Sequence, residues 1–230
     1  MTIAIMQPYF FPYPGYFQLV KAVDRFIFYD DVNFIKNGWI NRNRILVNGE
    51  AAYFTVKLKD ASSFRKIKDT GISQDMGRLL KTIQLAYKKA PCFESIYPVV
   101  EECLNKNCNG ISELAISSVM AVSDYLGFKT KFDMSSASFG STTNLQRENR
   151  LISICKLTGA ERYINLPGGA ALYSRETFRD NGVELLFLEP GIIEYGQYKK
   201  PFVPMLSIID LLMFNPKEKA LDLLNNYRIV

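Results

Sequence analysis

The sequence predicts one α/β domain over residues 1–230, with a mostly parallel sheet, a β-hairpin insert near 34–60 and a helical block near 75–127. Three observations carry this. Short apolar runs at 2–6, 25–29, 129–134, 161–165 and 183–188 alternate with helix-length segments, which is the rhythm of βαβ units and therefore of a parallel sheet. Asn48-Gly49 sits between the strand-like runs 40–47 and 51–58 and is the strongest hairpin signal in the chain. Residues 75–90, 92–107 and 111–126 read as three successive helices, broken by Pro91 and by Asn109-Gly110.

The elements follow in order. Residues 2–6 are too few for a helix and end at Gln7-Pro8, so they read as a buried strand. A stiff aromatic loop follows, and Pro14 suits the first position of a helix over 14–23, where its missing N–H leaves nothing unpaired. Gly127 and Gly159 are natural helix C-caps, the second closing a helix over 144–158. Pro167-Gly168-Gly169 reads as a turn before a helix over 174–181. The stretch 189–205 holds three Pro and two Gly and is expected to wrap the surface before helices over 207–214 and 216–226.

Composition narrows the chemistry. At 48% hydrophobic and 22% charged residues the chain is that of a folded, soluble domain. It contains no histidine, which excludes Ser-His and Cys-His dyads, imidazole metal ligation and a histidine base. Any reaction must run on carboxylates, Lys, Tyr, Ser, Thr, Cys or backbone dipoles. Cys92, Cys103, Cys108 and Cys155 form no CxxC pair, so no zinc site is expected and buried thiols are the simpler reading. The net charge of +5, read as spread along the chain and without a nucleic-acid motif, argues against a nucleic-acid partner and suits an anionic small molecule. With neither a signal peptide nor an apolar stretch of membrane-spanning length, the expected location is cytoplasmic, without a transmembrane segment. No cofactor or oligomeric state is assigned.

Ligands of open parallel sheets bind at the carboxyl ends of the strands. That places Gln7 and Tyr9 after the first strand and Asp30, Asp31 and Asn33 after the second around one crevice, with Gly15 allowing close approach to the helix N-terminus. Asp30 and Asp31 are the catalytic candidates, as a base or as ligands of a metal or ribose, and turn capping is their plainer reading. On an extended chain only one of them can face the crevice. Lys36, Arg42 and Arg44 are candidate phosphate contacts, the two arginines sharing one strand face opposite Asn41 and Asn43, and Trp39 is a candidate stacking platform. The hydroxyl-rich loop 135–143, Ser138 within it, could form a second anion site with Arg147 and Arg150. Gly168, Gly169 and Tyr173 follow a further strand end, whereas Ser207 with Asp210 reads as a variant capping box. The basic stretch Lys57, Lys59, Arg65, Lys66 and Lys68 reads as a solvated rim that could also meet anionic lipid-linked sugars in a peripheral membrane contact.

Three sets of motifs carry a resemblance. Gln7-Pro8-Tyr9-Phe10-Phe11-Pro12-Tyr13-Pro14-Gly15-Tyr16-Phe17, Tyr29-Asp30-Asp31-Val32-Asn33-Phe34 and Trp39-Ile40-Asn41-Arg42-Asn43-Arg44 resemble signatures of the WbqC-like family, as do Arg150-Leu151-Ile152, Tyr163, Pro167-Gly168-Gly169, Tyr173 and the segment 206–212. The family is associated with bacterial O-antigen and other surface-polysaccharide gene clusters, so the resemblance implies that pathway. The first βα unit also looks like the start of Rossmann-like, nucleotidylyltransferase-type folds, whose His-x-Gly-His slot here reads Tyr13-Pro14-Gly15-Tyr16. The glycine is kept and both imidazoles are missing, which the resemblance translates into nucleotide-sugar binding more readily than nucleotidyl transfer. Together these readings lead to an enzyme that binds a nucleotide-activated sugar and transfers a group, preferably acyl or aminoacyl to an amino sugar. The alternatives are a non-catalytic binding or scaffolding subunit and a nucleotidylyltransferase-like enzyme. The largest pocket is expected to be lined by Gln7 and by Asp30 or Asp31, with a hydroxyl of 135–143 nearby.

Overall fold

Strand β1 (Thr2–Met6) and strand β2 (Arg25–Phe28) are apolar on both faces, as strands covered from both sides must be. In the computed structural model, which describes residues 1–73, 76–199 and 201–230, they pair in parallel with Ala4 opposite Phe26 and Met6 opposite Phe28. Helix α1 (Pro14–Lys21), opened by Pro14, connects them. β2 pairs in parallel with strand β7 (Lys131–Met134), and the hydroxyl-rich stretch after it, expected as loop, forms the one-turn helix α5 (Ser135–Ser138) and a 3₁₀ turn over Gly140–Thr142. On the other side β1 meets strand β8 (Arg162–Asn165), and β8 meets strand β9 (Glu184–Pro190), again in parallel. A short strand, β10 (Tyr227–Ile229), closes this edge antiparallel to β9, giving the order β10-β9-β8-β1-β2-β7. The parallel Rossmann-like sheet is therefore as expected, and β10 is an addition to it.

Alternation along the strands divides the core in two. Ile3, Ile5 and Ile27 face helices α6 (Arg147–Thr158) and α7 (Arg175–Asp180), burying Leu151, Ile154 and Phe178. Ala4, Phe26 and Phe28 face α1, the helical block α2 (Gly77–Tyr87), α3 (Phe93–Asn105) and α4 (Ile111–Leu126), and the C-terminal helices α8 (Ile208–Phe214) and α9 (Lys217–Leu224). Phe28 stacks on Phe132 at 5.5 Å, so aromatic side chains fill this larger layer. Gly127 and Gly159 end α4 and α6 with φ of 78° and 69°, in the left-handed region that favours glycine.

The insert consists of β3 (Arg42–Val47) and β4 (Glu50–Thr55), joined by Asn48 and Gly49 at φ 55° and 91°, the geometry of a type I′ hairpin. Beyond it, β5 (Leu58–Lys59) and β6 (Gly71–Ile72) form a second small ladder that the hairpin pattern does not predict, so the run expected to end at Leu58 divides into β4 and β5. The expected helix over 75–90 is observed as α2, its predicted first residue, Asp75, lying outside the described residues, as does Lys200 in the surface-wrapping stretch.

The aromatic loop after β1 is core rather than surface: Phe10, Phe11 and Tyr16 are all fully buried. Phe11 holds φ 39°, and its backbone is paired on both sides. Its N–H donates to Ser118 Oγ on α4 at 2.9 Å, and its carbonyl accepts from Asn43 Nδ2 at 2.9 Å and from Ser207 Oγ at 2.7 Å. Asn43 also reaches the Phe10 carbonyl at 3.3 Å. Replacing Asn43 by Ala leaves these buried carbonyls under-satisfied and is expected to lower the unfolding free energy by about 1–3 kcal/mol in urea titration. An unchanged midpoint would show that the turn holds without the insert.

Candidate functional site

The strands deliver the expected residues to one edge. β1 ends at Gln7, β2 at Asp30 and Asp31, β7 at Ser135, and β8 at Leu166 before the 3₁₀ turn Pro167–Gly169. Because β2 and β7 lie on one side of β1 and β8 and β9 on the other, the strand order reverses between β1 and β8. The reversal at which such sheets take ligands thus falls between Gln7–Tyr9 and the Gly168-Gly169 turn rather than between β1 and β2.

At the β2 end the chain turns immediately, so both aspartates face the same way, contrary to the extended-chain expectation. Ser135 Oγ donates to Asp31 Oδ1 at 2.6 Å and lies 3.1 Å from Asp30 Oδ1. Ser136 N–H donates to Asp30 Oδ1 at 2.9 Å and its hydroxyl to Asp30 Oδ2 at 2.6 Å. Arg150 comes from α6 to bind Asp31 Oδ2 at 2.6 Å, while its Nε donates to Thr142 Oγ1 at 3.1 Å and its plane covers the Tyr29 ring at 4.7 Å. Asp30, Asp31, Ser135, Thr142 and Arg150 are all buried. All four carboxylate oxygens are engaged. Burial works to raise the Asp31 carboxyl, but the hydrogen bonds from Arg150 and Ser135 and the Arg150 charge outweigh it and hold it below the ordinary range. The loop 135–143 therefore places its innermost hydroxyls on the protein's own carboxylates and guanidinium, while Ser138 is exposed and donates to Asp133 at 3.5 Å.

At the β1 end, Tyr16 Oη donates to the Gln7 carbonyl at 2.9 Å and its ring lies 5.5 Å from that of Tyr9. A Cβ at Gly15 would stand 2.8 Å from the Tyr13 ring, so the space that glycine leaves is filled by Tyr13. Burial, followed by Tyr9, pushes the Tyr13 phenol up to about 12, which keeps it protonated and a donor at neutral pH. Gly169 is held close to Asn165, whose Nδ2 would lie 2.5 Å from an added Cβ, with the Tyr173 ring beside it; Gly168 is exposed. Burial pushes the Cys103 and Cys155 thiols up to about 12, so neither supplies a thiolate.

The insert gathers a second group. Lys36, Asn41 and Arg42 line one cleft of about 540 Å³ together with Thr55 and Lys57, and no Asp or Glu among the described residues lines it. Arg42 is fixed: its guanidinium donates to the Gly38 carbonyl at 3.2 Å and to the Asn37 carbonyl, and lies 4.6 Å from the Tyr53 ring centre. Tyr53 in turn stacks on Trp39 at 6.3 Å, and Arg44 lies 5.6 Å from the Trp39 ring while donating to the Met205 carbonyl at 2.9 Å. The two stacked rings thus lie between the two guanidinium groups, with Arg42 and Arg44 on one face of the hairpin as their spacing predicts. Asn41 is spent on the Val56 carbonyl at 2.9 Å, and Asn33 is exposed. A cavity of about 700 Å³, larger than this cleft, lies between the hairpin turn and α2, lined by Val47, Gly49, Leu85, Lys89 and Tyr198, and does not match the pocket expected around Gln7 and Asp30 or Asp31.

A third polar cluster has no counterpart among the expected site residues. Asp210, read as part of a cap, is fully buried and accepts from Tyr87 at 2.7 Å, Tyr195 at 2.8 Å and Gln197 at 2.7 Å, with no cation among these partners. Burial raises its carboxyl against these hydrogen bonds. Ser207 does cap α8, accepting from Ile209 N–H at 3.2 Å.

The family model described as WbqC-like matches residues 7–221, which includes β1's loop, the insert, the Asp31–Arg150 pair and the Asp210 cluster. The chain belongs to the WbqC-like protein family. A relative 29% identical over 231 residues, covering 98% of both chains, is an uncharacterized protein of Mycobacterium tuberculosis. No solved structure matches. Among the described residues no helix is long and apolar enough to cross a membrane.

The buried ion pair generates a stability prediction. Arg150→Met leaves Asp31 charged and buried without its cation and should destabilise the fold by about 3–5 kcal/mol in urea unfolding. Because the folded value of Asp31 lies below its unfolded one, its contribution is present above the unfolded pKa and fades as pH falls through the folded value. The native chain should therefore lose stability below about pH 4 more steeply than Asp31→Asn. Identical acid slopes would show the pair to be energetically silent.

Proposed function

We propose that this protein binds a nucleotide-activated sugar in the cytoplasm and serves surface-polysaccharide biosynthesis, with the ligand's phosphates held by Lys36 and Arg42 and a ring of the ligand on the Trp39–Tyr53 face. The observation that carries the reading is the cationic cleft of the insert. It is large enough for a diphosphate, lined by Lys36, Arg42 and Lys57 without a carboxylate among the described residues, and bordered by stacked aromatic rings. Gln7, Tyr9, Gly168 and Gly169 would receive the remainder of the ligand at the β1–β8 crevice.

In the enzymatic form of this reading, an amine of an amino sugar attacks the carbonyl of an already activated acyl or aminoacyl donor, Asp30 or Asp31 takes its proton, and the amide forms as the bond to the donor's activating group breaks and that group leaves with the electron pair. That role requires Asp30 to release Ser136. The engagement of every oxygen of the two aspartates favours a second reading, in which the protein binds the nucleotide sugar and presents it without doing chemistry. The filled space at Gly15 likewise disfavours nucleotidyl transfer through the Tyr13–Tyr16 slot.

Calorimetry against nucleoside diphosphates and dTDP- and UDP-sugars tests the shared part. Lys36→Ala with Arg42→Ala should weaken binding by at least about tenfold, the loss of one charge-assisted bond or more, in protein that circular dichroism shows to be folded. No binding of any of these ligands by the folded protein removes the class. Transfer activity that survives in Asp30→Asn and Asp31→Asn would remove the aspartates from the chemistry.

A further inference from the structure

We propose that the insert over residues 33–73 is a docking surface for an anionic lipid bilayer, with Phe64 and Ile35 entering the interface. The inference stands apart from the nucleotide-sugar reading: its apolar side chains, Arg65, Lys66 and Lys68 take no part there, and Lys36 alone of the flanking cations is shared. Charge is the first observation. The insert holds eight Lys and Arg against three Asp and Glu, so it carries +5, the whole net charge of the chain, and the remaining residues balance at 20 of each sign. The expectation of a charge spread evenly along the sequence is corrected by this count. Such segregation makes one face of an otherwise neutral molecule attractive to anionic headgroups.

The second observation is what the charge surrounds. Phe64 is 91% exposed, at the tip of a turn closed by Arg65 N–H donating to the Ser62 carbonyl at 3.1 Å. This turn is not a loose loop. Asn33 and Lys66 form an antiparallel bridge, Phe34 N–H donates to the Arg65 carbonyl at 2.8 Å, and Ile67 and Lys68 N–H donate to the Val32 and Asp30 carbonyls at 2.9 Å. Ile35, 52% exposed, follows Asn33 by two positions and Phe64 precedes Lys66 by two, so both lie at the same end of this antiparallel bridge. Two large exposed apolar side chains are therefore carried at one end of a backbone fixed to the end of β2, in segments that also carry Lys36, Arg65, Lys66 and Lys68. The nearby acids are few: Asp60 lies 3.8 Å from Arg65 and Asp69 3.8 Å from Lys68. An apolar tip ringed by cations is the arrangement that places hydrocarbon at the acyl boundary and charge among the headgroups. Ile35 has no face on which a base could stack, so the pair fits a bilayer better than a single-stranded nucleic acid.

Co-sedimentation with vesicles tests this. The full chain should pellet with vesicles rich in phosphatidylglycerol and not with pure phosphatidylcholine, and should be released as salt approaches about 1 M, where the screening length falls to ~3 Å. Phe64→Ala should lower the partition by about tenfold, and Lys66→Glu with Lys68→Glu should abolish it. Thermal melts of the variants should match the native chain, because these side chains make few buried contacts. In a second measurement, Phe64→Trp should be quenched by brominated phosphatidylglycerol beyond any quenching of Trp39 in the native chain. Equal pelleting with both lipids, an unchanged Phe64→Ala, or absence of the added quenching would overturn the proposal. So would binding of single-stranded RNA through the same lysines with no vesicle binding.

Discussion

The turn at Phe11 is the constraint on which the rest of the molecule depends. A bulky L-residue at φ 39° is disfavoured by the clash of its Cβ with the backbone, at a cost of about 1–3 kcal/mol. It persists because its surroundings over-determine it. The three hydroxyl and amide groups that pair its buried backbone come from α4, β3 and the cap of α8, elements 107, 32 and 196 residues away along the chain. Each is thereby anchored to the carboxyl end of β1. Ser207 N–H donates to the Arg44 carbonyl and Ile208 N–H to that of Pro12, both at 2.8 Å, so the same junction ties the hairpin to α8. The aromatic loop is consequently the knot joining the sheet, the insert, the helical block and the C-terminal helices.

Two buried carboxylates extend this logic and show opposite solutions to one problem. Removing a carboxylate from water is costly unless its oxygens are satisfied. Asp31 meets the requirement with a guanidinium, and its carboxyl falls below the ordinary range; Asp210 meets it with two phenols and an amide, and burial prevails, raising it. The difference follows from what each must hold. Arg150 reaches Asp31 across the sheet edge from α6, fixing β2 to β7 and the helix beyond. Tyr87 donates to Asp210 while accepting from Leu46 N–H at 3.0 Å, and Gln197 also donates to the Val203 carbonyl at 3.2 Å. Asp210 thus gathers α2, β3 and the irregular stretch after β9 around α8.

The parts of the fold that were legible in the sequence are those set by local rules. β1, α1 and β2 fall where apolar run length and Pro14 place them, the hairpin turns at Asn48-Gly49, and two helices stop at their glycines. What was not legible depends on distant partners. β10 is three residues of mixed polarity whose strand state exists only because β9 has an open edge beside it. β5 and β6 are two residues each, below any periodicity. Ser135 reads as a loop hydroxyl until Asp30 and Asp31, about a hundred residues earlier, are seen beside it. Asp210, whose spacing from Ser207 suggests a cap, turns away to Tyr87, 123 positions distant. Of the expected site, the residue types were informative about charge and hydrogen bonding, but not about whether a ligand or the protein itself would use them.

That last distinction separates the sheet edge from the insert. Parallel strands direct backbone and side chains toward their carboxyl ends, which is why ligands are sought there. Here the innermost hydroxyls of the third loop, both aspartates, Arg150 and the Tyr16 phenol are already bonded to one another or to the backbone, so the edge is stiff and largely internal. The insert has the reverse character. Its cations outnumber nearby carboxylates, two of its rings stack between guanidinium groups, and two apolar side chains stand outside the core. A rigid edge that anchors a charged insert explains why the hydrogen bonds joining them, through Phe10, Phe11, Asn43 and the bridge at Lys66, are all main-chain or buried contacts. The sheet supplies position, and the insert carries the cations and rings that face outward.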